Sequence, residues 1–298
     1  MTKNCFVTEI QIDDVPRLRQ GLIEQGFEIK QGPHLIFHAS KKGIQVHLYQ
    51  SLKLTVMGKE KDDFIVFYLE PEILKKTSFS HPMQDHDMNP HIGSDEAGKG
   101  DYFGPLCIAS VSCDQEQIKA LFDLKVEDSK NLSDEKIHKL AQKIKDLCAY
   151  EIDIIYPKTY NELYSKFKNL NRLLAWAHHK ALEGVFLKSP KDYAIIDQFS
   201  KDALVQKTAP KSLKSLKIIE RTKAESDLVV AAASILARDA FVTGLKKLSE
   251  KANFELPKGA SSKVVNAAKQ IVERDGKQIL NSVAKMHFKT TLEVLGAC

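Results

Sequence analysis

The 298-residue chain carries 44 Lys and Arg against 39 Asp and Glu, a formal net charge of +5, with 43% hydrophobic and 28% charged residues. That composition excludes a disordered or fibrous chain, and the length allows two ordinary domains or one large one. Five scattered cysteines (Cys5, Cys107, Cys113, Cys148 and Cys298) form no CxxC pair, which argues against a disulfide framework or a zinc finger.

In chain order, residues 1–74 read as a small α/β unit. Residues 6–12 are strand-like, and Asp13-Asp14 opens a helix that tolerates Pro16 in its first turn and ends at Gly26. Four short β-rich runs follow, near 28–30, 34–39, 44–49 and 52–57, separated by turn residues. A second helix is expected over 62–74, around or after a break at Pro71. Residues 75–91, with two prolines, three histidines and no apolar periodicity, read as a linker. His81, His86 and His91 are evenly spaced there, but nothing around them would fix metal-ligand geometry, so a solvated linker is the reading.

From Ile92 a larger α/β domain is expected to run to residue 298. Residues 105–113 read as a buried strand paired with 92–96, and Ser133 caps a helix over 134–148. Strands are expected at 149–156, 193–197 and 216–219, and helices at 169–187 and, rich in alanine, at 227–248. The last segment, 261–295, reads as mostly helical. No run approaches the ~20 apolar residues of a membrane span, and the N-terminus lacks an apolar signal core. We therefore expect a cytoplasmic protein with no membrane partner.

The chemistry concentrates at 93–105, GSDEAGKGDYFGP. Asp95-Glu96 is a carboxylate pair followed by three glycines within eight residues, and hard oxygen ligands of this kind suit Mg²⁺ or Mn²⁺. Adjacent strand residues point to opposite faces, so a shared site needs a turn, which the glycines supply. A phosphate loop is the decoy: Gly93 to Lys99 fits GxxxxGK, but Gly100 stands where Ser or Thr would bind Mg²⁺. Asp197 closes an apolar strand, and Glu225 and Asp227 open the Ala-rich helix, where capping is the ordinary role. With Asp95-Glu96 they make the four-carboxylate set that two-metal phosphodiester hydrolysis uses. Basic residues frame them. Between 201 and 223, Lys201, Lys207, Lys211, Lys214, Lys217, Arg221 and Lys223 face only Asp202 and Glu220.

These motifs, with DSKNL at 128–132, NLNRLLAWAH at 169–178, IDQF at 196–199, RTKAES at 221–226, AAASILAR at 231–238 and VAKMHF at 283–288, resemble the type 2 ribonucleases H. The DYFGP, DQF and KMHF pieces point to the bacterial ribonuclease HIII family, as does a separate N-terminal unit. The resemblance implies a ribonuclease H-like mixed sheet flanked by helices, preceded by a TATA-binding-protein-like substrate-binding domain. It also implies endonucleolytic cutting of the RNA strand of RNA–DNA hybrids with two Mg²⁺ or Mn²⁺ ions, leaving 5′-phosphate and 3′-hydroxyl ends. Asp95, Glu96, Asp197 and Glu225 match the family's four acids, with Asp227 as the alternative fourth ligand. Ser94, Gly98, Lys99, Gly100 and Lys130 are the candidate substrate contacts, and a monomer is expected. Lys99 stands where ribonucleases HII have an arginine, which favours RNA tracts over single ribonucleotides. Ribonuclease HII-like incision and a non-catalytic nucleic-acid binder are the alternatives.

Overall fold

The computed structural model describes residues 5–81, 83, 86–126 and 132–296. The chain divides into two compact units, 1–86 and 87–298.

In the first unit, β1 (Cys5–Glu9) is followed by α1 (Val15–Glu24), then β2 (Glu28–Lys30), β3 (Leu35–Lys41), β4 (Ile44–Tyr49) and β5 (Lys53–Gly58). The strands form one antiparallel sheet in the order β1-β5-β4-β3-β2. Leu18 and Leu22, one helical turn apart on α1, are both fully buried against the alternating Phe37, Val46, Leu48, Leu54 and Val56. The expected second helix begins as α2 (Lys61–Phe64) and continues as a π-helical stretch, Ile65–Leu74, that contains Pro71. A proline there lacks an amide donor, and the wider turn accommodates its ring while Ile65, Leu69 and Ile73 stay in the core.

The 75–91 segment divides between the units. The buried Glu70 carboxylate accepts from the amides of Phe79 (2.6 Å) and Ser80 (3.1 Å), which ties the near half to the first unit. In the far half, Asp87 accepts from the Tyr193 hydroxyl at 2.7 Å, and His91 is a buried residue of the first strand of the second unit.

That second unit runs β6 (His91–Ala97), β7 (Leu106–Cys113), α3 (Gln115–Asp123), α4 (Asp134–Leu147), β8 (Ala149–Ile155), α5 (Pro157–Phe167) and α6 (Leu170–Lys188). It continues with β9 (Tyr193–Asp197), α7 (Leu204–Lys207), β10 (Lys217–Arg221), α8 (Leu228–Ala252), α9 (Ser262–Asp275), α10 (Leu280–Val283) and α11 (Lys289–Leu295). The sheet order is β10-β9-β6-β7-β8; β6, β7 and β8 pair antiparallel, whereas β6, β9 and β10 pair parallel. All eight residues of β7 are buried because both faces are covered. Ala109 and Val111 meet α8, while Leu106 and Ile108 meet α6.

Helix α8 has the length and hydropathy of a membrane span, yet 83% of its most apolar window is buried in this core. It presses on β6 so closely that a Cβ on Gly93 would lie 2.4 Å from the Val229 and Val230 backbone. Three helices escape the sequence reading, α3, α5 and the single turn α7. The mostly helical C-terminal segment runs as α9, α10 and α11, and between the last two Lys285 is fully buried and donates to the Asp101 and Gly104 carbonyls at 2.8 Å each.

Candidate active site

Asp95, Glu96 and Asp197 lie at the carboxyl ends of β6 and β9, and Glu225 lies in the turn before α8. The parallel register sets Ser94 beside Ile196, which brings Asp95 and Asp197 level at the ends of neighbouring strands. Beyond β10, a single 3-10 turn, Ala224–Ser226, presents Glu225. The Ala224 amide in that turn donates to Asp197 Oδ1 at 3.0 Å and so fixes the turn against β9.

The Asp95-Glu96 pair departs from expectation. The turn begins only at Gly98, whose φ is +87°, so both carboxylates still belong to β6 and leave it on opposite faces. Asp95 faces α8 and is hydrogen-bonded by the Ser234 hydroxyl; Glu96 faces α6 and lies 3.2 Å from His178 Nε2. Among the described residues, no three Asp, Glu, His or Cys side chains close on one point. The acids instead border an open end of the sheet, an arrangement that suits a hard cation held by a few carboxylates, waters and substrate phosphates.

The electrostatics call for such a cation. Burial and the neighbouring Glu96 carboxylate push Asp95 up to about 7, against the hydrogen bonds from Ser234 and the Glu96 amide. Burial would also raise Glu96, but His178 and Lys99 together hold it below the usual carboxylate range. A desolvated carboxylate with another beside it is relieved by a positive charge.

Asp227 is settled differently. It is 2% exposed, caps α8 by accepting from the Val229 and Val230 amides, and contacts His91 Nε2 at 3.0 Å and Arg221 at 3.4 Å. Its oxygens are spent on the helix terminus, which leaves Glu225, in the turn pinned to Asp197, as the candidate fourth acid. His91 is likewise committed to Asp227 and to stacking on Tyr193 rather than to a histidine metal site.

Of the candidate substrate contacts, Ser94 is corrected: it is fully buried, hydrogen-bonded to the Ala109 carbonyl, Ser110 and His178, and out of reach of any ligand. Gly98 is buried, with the Pro105 carbonyl and Phe241 where a side chain would be. Gly100 is exposed and open. Lys99 pairs with Glu96 at 3.3 Å and lies over the Phe199 ring. Lys130 lies outside the described residues. His178, Phe199 and Ser234 stand inside the shared motifs without a role that sequence reading assigns. The available signal is a histidine on the apolar stripe of α6, four residues from both Leu174 and Leu182.

The chain matches the family model for ribonuclease HII over residues 92–291. It is 47% identical over 291 residues to ribonuclease HIII of Protochlamydia amoebophila, covering 98% of this chain and 97% of that protein. It is 44% identical over 292 residues to ribonuclease HIII of Chlamydia felis, with 97% of each covered. Among solved structures, Bst-RNase HIII in complex with Mn²⁺ superposes with a TM-score of 0.66 at 26% identity, covering 98% of both chains.

Proposed function

This chain belongs to the ribonuclease HIII family, and from that premise we propose how its own residues cut the RNA strand of an RNA–DNA hybrid. The observation that carries the reading is the placement of Asp95, Glu96 and Asp197 at the ends of neighbouring strands, with the turn that bears Glu225 tied to Asp197 by the Ala224 amide. These four would hold two divalent ions, Mg²⁺ or Mn²⁺, which supply charge neutralisation and an activated water for phosphodiester hydrolysis.

The protein's part is orientation. The Ser234 hydroxyl and the Glu96 amide fix Asp95, and the Ala224 amide fixes Asp197. Gly98 and Gly100 bracket a turn whose exposed second glycine leaves the backbone open to a ribose 2′-hydroxyl, the group that tells RNA from DNA. Lys99, about a third exposed, supplies a positive charge beside the acids for the phosphate backbone. Products would carry 5′-phosphate and 3′-hydroxyl ends.

The first unit is the proposed hybrid-binding accessory. Its helix-free sheet face aligns His38, His47 and Thr55 across β3, β4 and β5, and the Nε2 atoms of both histidines and the Thr55 hydroxyl are buried without partners. An all-RNA hybrid and a duplex with one ribonucleotide, cut side by side with Mg²⁺ or Mn²⁺, test the whole reading. We expect the hybrid to be preferred; preference for the single ribonucleotide would move the activity to the ribonuclease HII type.

A further inference from the structure

We propose that His178 is a positioning residue for Glu96, held in place by a hydroxyl chain buried inside the sheet. The inference rests on the reading of Glu96 as a metal ligand and deepens it. His178 lies on α6 and is fully buried. Its Nε2 is 3.2 Å from Glu96 Oε2, and its Nδ1 is 2.9 Å from Ser94 Oγ. Ser110 Oγ donates to Ser94 Oγ at 2.9 Å, and Ser94 also lies 3.1 Å from the Ala109 carbonyl. The face of the His178 ring stacks on Phe199, with centroids 5.5 Å apart and planes 11° from parallel.

Hydrogen-bond bookkeeping fixes what this assembly does. A carboxylate only accepts, so the nitrogen facing Glu96 carries a proton whichever way Ser94 turns. When Ser94 donates to Nδ1, a neutral ring donates through Nε2. When Ser94 donates to Ala109, a charged ring donates through both nitrogens. Two fixed points, the hydroxyl and the Phe199 face, stop the imidazole from rotating away. One oxygen of Glu96 is thereby tied to a rigid, solvent-free donor.

The other oxygen, Oε1, meets the ammonium of Lys99 at 3.3 Å, on a side chain that remains 35% exposed. The carboxylate therefore has an immobile partner on one side and an exchangeable one on the other. Oε1 is the oxygen that can pass from Lys99 to a cation without Glu96 changing its rotamer. Outer partners of this kind set ligand orientation, and their loss costs about tenfold to a hundredfold in metal affinity or activity. The same assembly gives Phe199 a part: one ring supports His178 and lies beneath Lys99.

The test is Mn²⁺ binding to the full-length protein, measured by calorimetry without substrate, beside steady-state cleavage of an RNA–DNA hybrid. For His178→Ala we expect Mn²⁺ affinity about tenfold to a hundredfold weaker, kcat reduced at saturating metal, and KM for the hybrid unchanged. His178→Gln, which returns an amide donor near the Nε2 position, should recover part of both losses. Ser94→Ala should fall between the wild type and His178→Ala, and it carries the prediction if His178→Ala does not fold. The proposal is overturned if folded His178→Ala, or Ser94→Ala in its place, binds Mn²⁺ like the wild type, or if His178→Gln is no better than His178→Ala. Asp95→Asn separates the two levels. If it retains full cleavage, the metal-site reading fails, whereas a wild-type Mn²⁺ affinity in His178→Ala sinks only the positioning role.

Discussion

β4 and β7 are both interior strands of five-stranded sheets, yet the first is buried at every second residue and the second throughout. In β4, Ile44, Val46 and Leu48 enter the core, while Gln45, His47 and Tyr49 look the other way. In β7 the alternation persists, but α8 receives one set and α6 the other. An uncovered sheet face can meet a ligand along its whole width. A doubly covered sheet can meet one only where its strands end, and there Asp95, Asp197 and the Glu225 turn are found. On the proposed reading the first unit presents a surface and the second an edge.

The largest expected effect breaks that contrast at the edge. Asp95→Asn should lower cleavage by about three orders of magnitude or more, because several kcal/mol of charge stabilisation is removed. Its melting temperature should not fall, since a neutral amide relieves the crowding with Glu96; single-turnover cleavage and calorimetry check the two halves.

Glu225 and Asp227 sharpen it next. Glu225→Gln should abolish cleavage and spare the fold. Asp227→Asn, which weakens the α8 cap and leaves His91 without its carboxylate, should lower stability by ~1–3 kcal/mol in denaturant unfolding and keep much of the activity. The reverse assignment would place the fourth ligand at Asp227.

Gly93→Ala should cost ~1–3 kcal/mol by forcing α8 away from β6. Hydrogen exchange should register the loss in the second unit and leave the first unchanged.

A smaller effect concerns pH. Burial alone would lower His91, but the Asp227 carboxylate more than offsets it and raises it above 6.5. The folded state thus binds this proton more tightly than the unfolded chain. The pair's stabilisation is complete below pH 6.5 and fades as pH rises through the elevated folded value. A melting-temperature profile should fall over that window, and His91→Gln should flatten it.

The smallest change lies on the open face: His47→Ala should alter stability within ~0.5 kcal/mol while weakening hybrid binding in a filter or anisotropy assay.

Much of this was legible in sequence because local signals and tertiary structure agree. The buried run of β7, the Ser133 cap of α4 and the acids closing β6 and β9 all sit where the pattern puts them. Helix α3 was missed although Asp114 and Gln117 form a capping box, a signal visible in the letters; α5 likewise begins with Pro157 in its first turn. Other features have no local signature. Ser94 reads as a substrate contact because glycines and acids surround it, and the strand signal does not show that its side chain turns inward to His178 of α6. His178 acquires its role from Ser94, 84 residues away in the chain. The choice between Glu225 and Asp227 turns on which of them meets the first amides of α8, a matter of two residues.

The parallel pairing of β6 with β9 and of β9 with β10 also imposes an order on synthesis. Asp95 and Glu96 leave the ribosome about a hundred residues before Asp197, and Glu225 follows later still. Until then β6 has only its antiparallel neighbour β7 to pair with, and no polyanion-cutting centre exists. A nascent chain released before α8 emerges would therefore be inert toward the hybrids around it, so the fold itself delays the nuclease until synthesis has passed Glu225 and the helix that follows it.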